Sequence, residues 1–363
     1  MQESAANLQT RPARPPRHDV SGSGLILSPP SVAGWTLAED GSIHSILRDN
    51  ARKRLYVNPI AWTSDHLQLL ACTFNYRPAR SWNRKERAKR HPLESSHAPE
   101  NVECQVERGI YESQRLKYAN NLKVMLANPS LLGGKKSALQ EILEAYNIHP
   151  QRSDILSFYF NRQHAAHLVT DGIFSSSAAP SSVAFITFDT IQSLRANHVQ
   201  PHKSKSVPVL RQRRKRLQLL DPPNPAEDPY VLAVLIALAQ NQRREQQEQK
   251  QQKDQGLGTG MNETQPKSAS LPSEGMEQGA PSAAQSFKVH VLAVSLAFAK
   301  YLYVYTATIP VEFLDKFDEP FRYSPSCPIV VKYRRITVLR AYSWTRLHRI
   351  LCTGTCSYCT TES

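Results

Sequence analysis

Apolar residues in this chain are clustered, and their spacing changes from segment to segment. Val231 to Ala239 (VLAVLIALA) is apolar on every side, with Asp228 ahead of it as a helix N-cap and Pro229 at the first helical position. Such a helix must be buried all round, whereas its continuation, NQRREQQEQK, is polar and projects into water. From Phe287 to Val311 the pattern has a period of two. Tyr301, Tyr303 and Tyr305 fall on one face and Leu302, Val304 and Thr306 on the other, which predicts two buried strands. PVEFLDKFDEP predicts a short helix from Pro310, Ile329 to Tyr333 a third strand, and SWTRLHRIL a helix opening near Ser343. The order helix, two strands, short helix, strand, helix predicts an α+β domain over residues 221–351, with a three-stranded sheet and a C-terminal helix.

The first half is a mixed region without one governing period. Residues 1–33 hold RPARPPRH and SGSG with little to bury, and are expected to be a disordered tail. Within 34–200, WTLAEDGSIHSIL predicts two short strands about the turn Asp40-Gly41, while RLYVNPIAW and HLQLLACTFNY read as strand-like or short helical pieces. Residues 109–146 predict an αα-hairpin: Ile110 to Leu126 stops at Asn128-Pro129, and Leu139, Ile142, Leu143 and Tyr146 form a stripe on a second helix. ILSFYF (Ile155 to Phe160) and VAFITF (Val183 to Phe188) are candidate strands. Residues 251–286 lack any aromatic and predict a disordered insert, and residues 352–363 form a cysteine-containing tail.

Charge changes this picture by its location. Residues 1–90 carry 14 basic and 7 acidic side chains, and residues 201–220 carry 7 basic and none acidic; these two surpluses equal the whole formal charge of +14. Residues 221–363 hold 15 basic and 14 acidic groups, so the predicted domain is close to neutral. Positive charge therefore marks an address or a tether rather than a basic fold. Met1 to Thr10 has no basic stretch leading into an apolar run, which predicts no secretory signal and an intracellular protein with its six cysteines reduced. His290, Lys300 and Pro310 interrupt the longest apolar stretch, so no membrane span is expected.

DPPNPAEDPYVLAVLIALAQNQRR, followed after an insert by KYLYVYTATIPVEFLDKFDEP, resembles a family of uncharacterised filamentous-fungal proteins over about residues 221–340. The residues that carry it are the LIALAQ helix (Leu235 to Gln240), the YTA-x-IP strand end (Tyr305 to Pro310) and FLDKFD-x-P (Phe313 to Pro320). The resemblance implies a fungal intracellular origin and a domain boundary near Pro208 to Asp221. It transfers no catalytic residue.

Candidate chemistry is sparse. Cys352, Cys356 and Cys359, with His348 upstream, have spacing that suits a zinc site or an iron–sulfur cluster, but only four residues follow Cys359, and the reading is free thiols with no cofactor. His164 and His167 share a face with Asp171 one turn on if that segment is helical, a metal-holding pattern whose plainer reading is scattered polar residues. Glu312, Asp315, Asp318 and Glu319 read as the solvated acidic face of an amphipathic turn over Phe313, Leu314 and Phe317. A nuclease-like site would want Glu-x-Lys on a strand, where this chain has Val330-Val331-Lys332. LGGKKS (Leu132 to Ser137) lacks the upstream glycine of a phosphate loop and reads as a glycine break, with Lys135 and Lys136 in a solvated first turn.

The basic runs are the stronger signal. Arg211, Arg213, Arg214, Lys215 and Arg216 lie in a 201–220 linker expected to be flexible, and Arg84, Lys85, Arg87, Lys89 and Arg90 form a second run beside Tyr76 and Trp82. Dense cations of this kind fit the acidic groove of an import receptor or nucleic-acid phosphate. The sequence thus leans away from an enzyme. It predicts a non-enzymatic nuclear or nucleocytoplasmic protein with a C-terminal domain for an unknown protein partner, the alternative being an enzyme of unrecognised, nuclease-like type in that domain.

Overall fold

In the computed structural model, residues 38–53, 55–78, 132–144, 147–176, 179–200, 206–256, 285–295, 300–325, 327–338, 346–347 and 350–351 are described. In chain order the elements are α1 (Ile43–Asp49), α2 (Ser64–Leu69), β1 (Cys72–Tyr76), α3 (Leu132–Glu144), β2 (Ile148–Pro150), β3 (Ile155–Phe160), β4 (Gln163–Val169), β5 (Gly172–Ser176), β6 (Ala179–Thr187), α4 (Phe188–Val199), α5 (Val207–Leu220), α6 (Pro229–Gly256), β7 (Ser286–Val294), β8 (Tyr301–Pro310), α7 (Val311–Asp318) and β9 (Ile329–Thr337). All lie in the unit Ala38–Ser363.

Helix α6 organises the rest. Every residue from Val231 to Ala239 is closed off from solvent, because the helix runs between two layers. One is a seven-stranded sheet of order β1-β9-β8-β7-β6-β5-β2, and the other is the two-stranded hairpin β3-β4. The pairs β1-β9 and β6-β7 are parallel and the remaining pairs in both sheets are antiparallel, so the architecture is α+β with a mixed sheet. Strand parity separates two cores. Val289, Val291, Ala307, Ile309 and Val331 face α6, while Leu292, Val294, Val304 and Ile336 face α3 and Leu347 on the opposite side.

The three strands expected after Phe287 are present as β7, β8 and β9, but they are not a self-standing sheet. They form the middle of the larger one, flanked by β1 on one edge and β6, β5 and β2 on the other. Strands from both sides of the 201–220 segment share these two cores, so that segment interrupts the chain without separating two sheets. Residues 110–126 of the expected αα-hairpin lie outside the described residues, as do residues 1–33 and most of 251–286. Of the expected C-terminal helix, residues 346–347 and 350–351 are described, and they are helical. Among the described residues no helix is long and apolar enough to cross a membrane.

Two local readings are corrected. The stretch after Asp40-Gly41 is helix α1 rather than a strand: Ser42 takes the N-cap position and its hydroxyl accepts the Ser45 N–H at 3.2 Å. Gly41 sits at φ 79°, the left-handed region that favours glycine, and a Cβ there would lie 3.0 Å from the exposed Tyr323 ring. Gly133 and Gly134 do not break the chain but lie within the first turn of α3. Lys135 is fully buried rather than solvated, because it continues the i, i+3, i+4, i+7 stripe of Ala138, Leu139 and Ile142. Its ammonium donates to Ser295 O at 3.1 Å, and burial lowers its pKa.

The start of α6 is held by a buried ion pair. Its N-terminal N–H groups are out of water, and Asp228 Oδ1 accepts the Tyr230 N–H at 2.8 Å. Burial pushes the Asp228 carboxyl up, against the pull of Arg195 on α4, which donates through both terminal nitrogens at 2.7 Å. Both side chains are almost wholly buried. Removing one partner strands the other charge, so Arg195→Met should cost about 3–5 kcal/mol in urea unfolding, and Arg195→Met combined with Asp228→Asn should cost less than that single change. A second measurable consequence comes from His290 on β7, buried against Thr306 Oγ1 at 3.0 Å. Burial, helped by Lys288, lowers its pKa from 6.5 to about 3. As pH falls through that window the unfolded chain binds a proton that the folded one refuses, so this group makes stability fall by up to about 1.4 kcal/mol per pH unit. Unfolding free energies measured at several pH values should show a shallower acid-side slope for His290→Asn.

Candidate functional site

The basic segment expected to be a flexible linker is helix α5. Pro208 suits the first turn, Arg, Gln, Lys and Leu are good helix formers, and the helix stops at Asp221, before Pro222. None of its residues is buried. Arg213, Leu217 and Leu220, spaced i, i+4, i+7, are the half-buried residues of the side packed on α4, and Arg213 turns far enough inward to close its Nε off from solvent. Arg211, Arg214, Lys215 and Gln218, at i, i+3, i+4 and i+7, are exposed on the opposite side. Arg216 is exposed on the flank. Among the described residues no carboxylate forms an ion pair with any of these five cations.

A second feature is a cleft of about 870 Å³ between the polar half of α6, helix α7 and the tip of the β3-β4 hairpin. Phe313, Leu314 and Phe317 bury one face of α7 as expected, yet the acidic face is not simply solvated. Arg243 of α6 lies 2.7 Å from Asp315 and 3.1 Å from Asp318. Glu319 pairs with Arg162 and with Arg322, and the Arg322 hydrogen bond holds its carboxyl below the usual range. Arg244 stacks over Tyr159, its guanidinium carbon 4.1 Å from the ring centre. At the inner end Gln240 binds both the N–H and the C=O of Tyr159, at 3.0 and 2.9 Å, fastening the hairpin to α6. Sequence reading missed Arg162, Arg243 and Arg244 because their partners are distant in the chain.

A smaller apolar pocket of about 230 Å³ lies between α1, α2 and the hairpin, with Trp62, Phe158, Phe160 and Phe317 in its wall. His66 beside it is tied to Leu55 O at 3.1 Å and to the Thr63 N–H at 3.0 Å, and burial lowers its pKa.

The histidine pair is placed differently from the helical reading. His164 and His167 lie on strand β4, where a bulge opposite Phe158 and Tyr159 brings them to one face with their nitrogens 3.2 Å apart. Asp171 does not join them: it accepts from Thr187 N and Thr190 Oγ1 at the start of α4, and burial raises its pKa. Among the described residues no group of three or more potential metal ligands forms. Arg84, Lys85, Arg87, Lys89 and Arg90 lie outside the described residues, and so do His348, Cys352, Cys356 and Cys359.

No family model, curated protein or solved structure matches this chain. In the cleft, Arg243→Leu keeps the bulk of the side chain but removes the cation between two carboxylates. Burial already raises the Asp318 pKa and Arg243 opposes that rise. Its loss should shift the Asp318 titration, followed by carboxyl NMR, to higher pH.

Proposed function

We propose that this protein is a non-enzymatic nuclear or nucleocytoplasmic protein that binds nucleic-acid phosphate through helix α5, with the α+β body as the scaffold that presents it. One observation carries the reading: Arg211, Arg214 and Lys215 share the outer face of an exposed helix and have no carboxylate partner among the described residues. The contrast with the cleft supports it. Arg162, Arg243 and Arg322 are equally cationic, but each is ion-paired within the fold, Arg243 with Asp315 and Asp318, and Arg162 and Arg322 with Glu319. Cations left unpaired on a rigid helix keep their field for an external anion, and a row spaced by turns of the helix can follow successive phosphates.

A fluorescence-anisotropy salt series tests this. Binding of an oligonucleotide should weaken steeply from about 50 to about 200 mM salt. Arg211→Ala, Arg214→Ala and Lys215→Ala together should lower the log–log slope by about 2 to 3, at roughly 0.7–0.9 per cation, while Arg213→Ala changes it less. An unchanged slope in the triple variant sinks the reading. If that variant keeps its slope but a fluorescent fusion leaves the nucleus, the helix serves an import receptor instead.

A further inference from the structure

The face of the sheet that packs on α6 changes character towards one end. On β8 and β9, Ile309, Ala307 and Tyr305, with Ile329, Val331 and Tyr333, are buried in the first core. A 3-10 turn, Pro225–Glu227, closes over the last of them: Tyr305 Oη donates to Ala226 O at 2.8 Å and Tyr333 Oη to Glu227 Oε1 at 2.9 Å. Past that turn, on the same face, come Tyr303, Tyr301 and Arg335, with Tyr76 at the end of β1. Tyr303 and Tyr301 are half-buried, and Arg335, Lys300 and Tyr76 are exposed.

Register explains how residues so far apart in sequence meet. Tyr76 pairs with Tyr333, Tyr333 with Tyr305, and Arg335 with Tyr303, across three neighbouring strands. The rings form a continuous row: Tyr76 to Tyr333 at 5.3 Å, Tyr333 to Tyr305 at 5.6 Å, Tyr305 to Tyr303 at 6.5 Å, and Tyr303 to Phe188 of α4 at 5.3 Å. The buried rings fix the exposed ones in position. Arg335 lies over Tyr76 at 4.8 Å and Tyr301 at 5.5 Å, its Nε donates to Tyr76 Oη at 3.2 Å, and the Lys300 ammonium is 5.4 Å from the Tyr301 centre.

We infer that this end of the sheet, where Tyr76, Lys300 and Arg335 are exposed, is a stacking platform for unpaired bases, so that the nucleic acid taken up by α5 is single-stranded. The inference rests on the reading of α5 as a phosphate-binding helix. Rigid rings beside a guanidinium plane suit base faces, which in a duplex are stacked on one another and out of reach. A short connection joins the two parts. Helix α5 ends at Asp221, and the short connection from there to α6 carries Asn224 and Glu227, both bonded to the Tyr333 hydroxyl. In this proposal α5 takes the phosphates and Tyr76 and Tyr301 the bases, the connection through Asn224 and Glu227 linking the two.

The test uses the full chain with three probes of equal length: single-stranded DNA, single-stranded RNA and an abasic deoxyribose-phosphate strand. Wild-type protein should bind one or both base-carrying strands about fivefold or more tighter than the abasic strand, and the DNA and RNA arms tell which sugar is preferred. Tyr76→Ala and Tyr301→Ala should each shrink that advantage without changing abasic binding, whereas Tyr76→Phe and Tyr301→Phe, which keep the ring, should retain it. Thermal unfolding of each variant confirms that the fold persists. Equal wild-type binding to abasic and base-carrying strands overturns the platform, as does an advantage that survives both Ala changes. Either result leaves α5 standing if the abasic strand still binds with a salt slope that falls in the Arg211, Arg214 and Lys215 variant. Loss of no affinity in that variant overturns the α5 reading instead.

Discussion

A helix with no polar face can exist in water only where something covers all of its sides, and Val231 to Ala239 impose that condition on everything around them. The sheet covers one side and the β3-β4 hairpin the other. Burying the helix also buries its first N–H groups, which need an acceptor; Asp228 supplies it, and a carboxylate in those surroundings needs Arg195. Arg195 lies on α4, and α4 is the element on which α5 packs. The position of the basic helix is therefore linked, through two charged side chains, to the all-apolar composition of α6.

The opposite end of α6 shows the same economy in reverse. Where the helix turns polar, Gln240 completes the hydrogen bonds of Tyr159 opposite the β4 bulge, and Arg243 pairs with two carboxylates of α7. Charge inside the body is thereby matched locally, in keeping with the near balance of residues 221–363. Among the described residues the cations on the outer face of α5 form no ion pair with a carboxylate, and the cations flanking the tyrosines are engaged with rings.

Elements with a clean local period are legible in the order of residues alone. Strand β3 has the bounds that ILSFYF implies, β7 and β8 split the apolar stretch where Lys300 falls, and α7 buries Phe313, Leu314 and Phe317 as their spacing requires. The misreadings share a cause. The segment after Asp40-Gly41 reads as a strand until the Ser42 hydroxyl is seen capping α1, and Lys135 reads as surface until α3 is laid on the sheet. The Arg211 to Arg216 run reads as a linker on charge, although its residues are good helix formers, and contact with α4 shows which side faces inward. For the candidate site, the cations themselves are legible; their division into outer Arg211, Arg214 and Lys215 and inner Arg213 is not.

By itself the sequence determined the all-apolar helix with its Asp228 cap, the alternating tyrosines of β8, and the confinement of surplus charge to two segments, because each follows from neighbours a few residues apart. Tertiary structure decided that strands from both halves share one sheet, that Arg195 answers Asp228, and that Tyr76 comes to lie beside Tyr333 and Arg335. Those facts depend on pairing between distant segments. Such pairing is chosen by the burial of whole faces, which no local pattern records.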